Sequence, residues 1–345
     1  MSEQRVVATI RCHGAGNTFF ILDESREELI PDSLKGPFAR LVCDRGHGIG
    51  SDGIVFVSTH DADQPRMRFF NPDGSEAEMC GNGLRCASRA CFEAGYRGKN
   101  PLVFKTLAGD FKTENFVSPL HQLPFVRVTT DAISTNPARM LASRSSTPFI
   151  AQPLLVEGQA WVGTMISIGN PHLIVPVADL RTLDLMALGH AMEHHPIFLN
   201  RANISFVQLV DRQTILVQTY ERGAGLTLSC GTGMIASVVA QVLDGAVDNN
   251  QPVAVHTAGG IVWVTPRVTE AAITAELTGN ASWVYKGKIH LLIGEESIQF
   301  ATQTKIEKEQ FYPEEASNYE KLARQSLFDR SILRGTPLEQ SVTLS

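Results

Sequence analysis

The sequence predicts an α+β protein built of two similar halves, and three observations carry that reading. First, the chain repeats itself. FFNPDGSEAEMCGNGLRCASRACFEAG around Cys80 and TYERGAGLTLSCGTGMIASVVAQVLDG around Cys230 align without gaps, placing Phe70 on Tyr220, Gly81 on Gly231 and Gly83 on Gly233. Second, each half has short β-rich runs followed by one clear helix. Third, 345 residues with 43% hydrophobic and 19% charged content suit two globular domains.

In chain order, GIVFV at 53–57 reads as a strand of the first half. The helix after Cys80 opens on GNG, turns Leu84 and Ala87 inward and ends near Gly95. LIVPV and ISFVQLV are strands of the second half. Its helix follows Cys230, with Met234, Ile235, Val238 and Val239 apolar and Gly245 as the cap. TGNASWVYKGKIHLLI at 278–293 returns to complete the first half's sheet. The expected domains are therefore 1–125 plus 279–295, then 126–278, with 296–345 as a helical extension. Lys, Arg, Asp and Glu make up 13 of the last 45 residues, and Pro313, Glu314, Glu315 and Gly335 frame an amphipathic helix lying on the body or on a partner.

A net charge of −6 without a basic run argues against nucleic acid or an anionic membrane as the main partner. No apolar stretch approaches the roughly 18 residues of a spanning helix, and the N-terminus lacks a signal-peptide core, so a soluble cytoplasmic protein is expected. Six cysteines fit a reducing compartment. Cys80, Cys86 and Cys91 have the wrong spacing for zinc, and no metal is expected. His190 and His194 read as a solvated helix face, since no Glu stands in HExxH order.

A cysteine just before a helix is chemically privileged. Unpaired amides and the helix dipole favour its thiolate, and following glycines let backbone N–H groups approach an anion. Two such turns suit inversion of a carbon next to a carboxylate: one sulfur removes a proton from one face and the other returns one to the opposite face. No cofactor is demanded, and no P-loop or dinucleotide fingerprint is present. Cys12, Cys43, Cys86 and Cys91 read as buried thiols. His172 in GNPH and Glu221 in YERGAG are placed to set which sulfur is ionised, and Arg222 to hold a second carboxylate. Asn17, Asn71, Asn170 and Asn203 read singly as turn residues and together as polar groups of one cleft.

HGAGNTFFILD, DRGHGIGSDG, FFNPDGSEAEMCGNGLRC, IGNPH, RANI, YERGAG and SCGTG, in that order, resemble diaminopimelate epimerase over roughly residues 8–292. The resemblance implies two pseudo-symmetric domains, each a sheet wrapped around a central helix. It implies that Cys80 and Cys230 are acid/base thiols tuned by His172 and Glu221. Substrate contacts are implied for Asn17, Asn71, Gly81, Asn82, Asn170, Asn203, Glu221, Arg222, Gly231 and Thr232. The implied reaction converts LL-diaminopimelate to the meso isomer without a cofactor, in lysine and cell-wall precursor synthesis. Members dimerise, and Tyr285 matches a tyrosine at that interface, so a homodimer is expected. Thr18 stands where the family pattern reads GND, Leu226 where it reads GET, and the tail past about 295 has no counterpart. Two other readings use the same residues: a racemase of this architecture acting on another amino acid such as histidine, and a thiol switch or binding protein.

Overall fold

The computed structural model describes residues 3–59, 64–95, 100–131, 133–333 and 336. The chain divides into two units, 1–128 with 280–321 and 129–279 with 322–345.

The first unit opens with the hairpin β1 (Glu3–Gly14) and β2 (Asn17–Asp23). Ala15 and Gly16 both take positive φ, as a two-residue hairpin turn requires, and Gly14 pairs with Asn17 across it. Helix α1 (Lys35–Cys43) leads to β3 (Ile54–Ser58), β4 (Arg66–Phe70) and the two-residue β5 (Glu76–Ala77). Helix α2 (Gly81–Glu93) follows, then β6 (Leu102–Thr106), β7 (Gly109–Ser118) and β8 (Leu123–Thr130). From β1 to β7 the neighbours alternate in sense: β1–β2 antiparallel, β2–β3 parallel, β3–β4 antiparallel, β4–β6 parallel and β6–β7 antiparallel.

The second unit repeats this pattern. Its strands are β9 (Ile133–Ser134), β10 (Gln152–Val156), β11 (Gln159–Ile168) and β12 (Pro171–Pro176), followed by α3 (Leu185–Glu193). Then come β13 (Asn203–Asp211), β14 (Thr214–Glu221), β15 (Gly225–Leu226), α4 (Gly231–Leu243), β16 (Val253–Thr257), β17 (Gly260–Val268) and β18 (Ile273–Asn280). The pairs β11–β12, β12–β13, β13–β14, β14–β16 and β16–β17 run antiparallel, parallel, antiparallel, parallel and antiparallel. Even the register repeats: Ile54 faces Phe70 and Phe70 faces Glu76, while Ile204 faces Tyr220 and Tyr220 faces Leu226.

Helix α2 buries Leu84, Cys86, Ala87 and Cys91 against Phe19, Val55, Phe69 and Phe104. On the other face of that sheet α1 contributes Phe38, Ala39 and Val42 to a core with Phe20, Leu22 and Phe56. Nearly every residue of α4 is buried, including Met234, Ile235, Val238 and Val239. A helix apolar all round and enclosed by strands is a domain's central rod. Each helix ends before a glycine with positive φ, Gly95 and Gly245, which side chains other than glycine reach only with strain.

Residues 280–321 return to the first unit. Strand β19 (Ser282–Ile293) pairs antiparallel along the whole of β1. The tail was expected to be a helical extension, but it first forms strands β20 (Ile298–Phe300) and β21 (Ile306–Phe311), both antiparallel to β19. The reason is packing: Ile298, Phe300 and Ile306 lie on the core that contains Tyr285, Ile289 and Leu291. The helix itself, α5 (Pro313–Ala323), starts at the expected proline but is shorter than expected. From Leu322 the chain belongs to the second unit, where Phe328 and Leu333 join the apolar core. Gly335, the expected cap, lies outside the described residues.

Candidate active site

Cys80 and Cys230 are each the N-cap of a thirteen-residue helix, in extended backbone conformation. Each carbonyl accepts the first helical bond, from Leu84 N at 2.8 Å and from Met234 N at 2.9 Å. Each Sγ in turn accepts from the amide of the second glycine, Gly83 N or Gly233 N, at 3.4 Å. Sulfur thus takes the capping role usually filled by a Ser or Asp oxygen. The glycines have a steric reason too. A Cβ on Gly233 would lie 2.8 Å from Thr219 Oγ1 and 3.0 Å from Ser205 Oγ, so only glycine lets α4 settle on β13 and β14. A Cβ on Gly14 would meet Asn82 O at 3.0 Å, which explains the glycine of HGAGN where β1 passes the start of α2.

In the first unit, Asn17 stands at the hairpin exit and Asn71 at the turn after β4, its Nδ2 donating to Ser75 Oγ at 3.0 Å. Gly81 and Asn82 open α2, with Asn82 buried. Thr18 donates from its amide and its hydroxyl to Asp52 Oδ2, at 2.8 and 3.1 Å, so a carboxylate from another loop fastens this turn. Arg85, fully buried on α2, donates from Nε to Asn280 O at 3.0 Å, while neither terminal nitrogen has a hydrogen-bond partner.

The second unit gathers eight of the expected residues. His172 Nε2 lies 3.1 Å from Asn170 Oδ1 and 3.0 Å from Thr232 Oγ1, and Thr232 Oγ1 lies 3.6 Å from Cys230 Sγ. His172 therefore reaches the thiol through a hydroxyl. Burial, with Arg222 nearby, lowers its pKa to about 3, so it acts as a neutral imidazole. Asn203 Oδ1 accepts from Arg222 N at 2.9 Å and its Nδ2 donates to Pro171 O at 3.0 Å, which sets the YERGAG turn against β12. Glu221 Oε1 accepts from Thr227 Oγ1 at 2.6 Å. Gly231, the first residue of α4, follows Cys230 directly.

The helix terminus does not decide the state of Cys230. Burial first, and the Glu221 carboxylate second, push its thiol well above the usual range, against the pull of Thr232 and the Gly233 amide. Glu221 is itself raised by burial, although the Thr227 hydroxyl and the Cys230 thiol, which donates to it, both work the other way. At Cys230 the pull of the helix terminus on the thiol is therefore outweighed by burial and by Glu221.

Two residues not foreseen complete this half. Glu193 Oε1 accepts from Gly223 N at 2.9 Å and from Arg201 Nη1 at 3.0 Å, holding the turn that carries Arg222. Thr227 holds Glu221. Glu193 also lies with His190 and His194 on α3, their ligand atoms within 4.8 Å of one another, but its carboxylate is engaged by the arginine. Leu226, where the family pattern has a carboxylate, is buried in the apolar core beside Tyr220. Tyr285, expected at an interface between copies, is 5% exposed, and residues of its own chain cover it: the Phe311 ring is 6.0 Å away and Lys308 Nζ sits 4.8 Å above it.

Comparison with known proteins follows the same lines. The family described as "Diaminopimelate epimerase" matches residues 9–130 and 164–284. The diaminopimelate epimerase of Moorella thermoacetica is 36% identical over 82% of this chain and 99% of that protein. That of Methanothermobacter thermautotrophicus is 38% identical over 80% of this chain and 96% of its own length. Among solved structures, the chain resembles a hydroxyproline epimerase from Agrobacterium vitis, at a TM-score of 0.60 and 15% identity over 84% of this chain and 92% of that one. A Bacillus anthracis phenazine biosynthesis protein of the PhzF family gives a TM-score of 0.60 at 17% identity, covering 83% of this chain and 99% of that one. These structures share the fold. The sequence matches go further: the chain belongs to the diaminopimelate epimerase family.

Proposed function

We propose that this protein is an isomerase that inverts the α-carbon of LL-diaminopimelate to the meso form, in lysine and peptidoglycan precursor synthesis. The carrying observation is the pair of capping thiols, Cys80 and Cys230, at equivalent positions of two repeated units. One thiolate removes the α-proton, and the other sulfur, as a thiol, delivers its own proton to the opposite face. The electron pair left on the carbon is delocalised into the substrate carboxylate, and the helix N-termini at Gly81–Asn82 and Gly231–Thr232 stabilise that charge.

Cys230 is the resting acid in this scheme, because burial and Glu221 keep it protonated. Cys80, less buried than Cys230, takes the part of the base in this direction. In the reverse direction the roles exchange, and Glu221 takes the Cys230 proton through the hydrogen bond between them. Neutral His172 holds Thr232 in place beside the sulfur. Arg222 and the asparagines bind the amino-acid end groups, Arg222 taking the distal carboxylate. Free thiols at all six cysteines agree with a reducing, cytoplasmic setting. A homodimer, where formed, uses a face other than that of Tyr285.

The test is α-hydrogen exchange in D2O, followed by NMR, with LL-diaminopimelate beside histidine, lysine, glutamate and proline. Exchange with inversion of diaminopimelate alone is the expected result. Exchange of another amino acid instead overturns the substrate, and exchange of none, with thiols shown to be reduced, overturns the reaction.

A further inference from the structure

The match to the family ends at residue 284, before the segment that forms β20, β21 and α5. That segment lies on the long strand β19. One side of β19 is paired throughout with β1. The other would otherwise be a twelve-residue edge carrying Tyr285, Ile289, Leu291 and Ile293 on its apolar face. A long, apolar, unpaired edge invites a strand from another molecule.

We infer that the C-terminal segment is a built-in cover for this edge, so that the surface whose partner would be a second copy of the chain is occupied by the chain itself. The two strands divide the work. Ile298 to Phe300 pairs with Leu291 to Ile293, and Ile306 to Phe311 pairs with Tyr285 to Ile289. Ile298, Phe300 and Ile306 pack on the core beneath, and Phe311 lies beside the Tyr285 ring. Gly287 marks how closely β21 approaches, since a Cβ there would collide with the carbonyl oxygen of Glu307.

The cover is also fastened at its far end. Glu315 of α5 accepts from the Trp283 amide at 2.9 Å and pairs with Arg89. Tyr319, buried, meets the His13 ring edge to face at 4.3 Å between centroids. The new edge is unlike the one it hides. β21 has six residues, IEKEQF, nearly all exposed, with Glu307, Lys308 and Glu309 in succession. Glu307 lies 3.5 Å from His290, and Glu309 pairs with Lys288. A short, charged edge resists further strand addition.

The experiment is hydrogen exchange of the full chain, read at residues 285–293 across a hundredfold range of protein concentration, with mass measured by light scattering on the same samples. The wild-type expectation is exchange in this segment that does not change with concentration, whatever the mass. The Gly287→Val variant displaces β21, and exchange at 285–289 and 306–311 should rise at least tenfold; Ile306→Asp gives the same rise if the valine variant fails to fold. Slowing of exchange at 285–293 as the wild-type mass doubles would overturn the inference, because a second copy would then be using that edge. Unchanged exchange in a folded variant would overturn it as well.

Discussion

Arg89 and Glu315 form a two-pronged ion pair, Nη1 to Oε2 at 2.6 Å and Nη2 to Oε1 at 2.8 Å, between residues 226 positions apart. Arg89 also donates to Ala281 O at 2.8 Å and to Glu93 at 2.7 Å, and its guanidinium lies 4.1 Å from the centre of the Trp283 ring. It sits on α2, whose first turn is capped by Cys80. The tail is thus clamped to the helix that Cys80 caps.

With side chains only 7% and 15% exposed, the pair is shielded from solvent. Glu315→Gln keeps the shape but leaves the arginine with Glu93 as its one remaining carboxylate partner, and should lower stability by about 1 to 2 kcal/mol. Urea denaturation gives the number. A loss below about 0.5 kcal/mol would show that the pair is a surface contact in effect.

Thr232 is predicted to act on Cys230 directly. Its hydroxyl helps hold the thiol pKa down, so Thr232→Val should move the Cys230 pKa further up and lower kcat/KM about tenfold. The pH dependence of iodoacetamide alkylation at Cys230, read by mass spectrometry, checks the direction. A downward shift would remove Thr232 from this role.

Two of the buried histidines make an acid-side prediction. His13 and His172 have pKa values lowered to about 3, by burial in both cases, with Arg11, Arg85 and Arg89 adding to it at His13. Unfolded, each titrates near 6.5, so below that pH the unfolded chain binds protons that the native chain does not. Their contribution is therefore complete above about pH 6.5 and is lost as pH falls toward 3, at about 1.4 kcal/mol per unit for each ring. His13→Gln should flatten the slope of stability against pH between 6 and 4 by that amount. Parallel slopes for mutant and wild type would mean that His13 is protonated in the native state.

Arg222 is positioned by its own amide on Asn203, and its Nη1 donates to Asn200 O at 3.3 Å. Arg222→Ala should cost about 10 to 100-fold in kcat/KM on a substrate with a distal carboxylate, and much less in α-exchange of a monocarboxylic amino acid. Equal losses on both would show that Arg222 does not read the distal end.

The repeat was legible because sequence similarity and strand register both come from the same backbone path. Phe70 and Tyr220 align in the sequence and take the same place in the two sheets. The capping cysteines were legible from their glycines and Asn170 from its place in the repeat, whereas His172 was read from GNPH and Thr232 came only with the family resemblance. The tail strands were not legible, since β21 is exposed along nearly its whole length and lacks the apolar alternation that marks a strand. Glu193, 30 positions before the Gly223 amide it accepts from, gives no local signal. The protonation of Cys230 was hidden for a related reason. A helix dipole can be read from a motif, whereas burial and the distance to Glu221 belong to the folded chain.

The two-base claim is tested most directly by following the first turnovers of LL-diaminopimelate in D2O. Separate sulfurs predict that the inverted centre of the meso product carries deuterium from the outset, while unreacted LL substrate keeps its protium. Protium retained at the inverted centre of early product would mean that a single base returns the proton it removed, and would contradict the account.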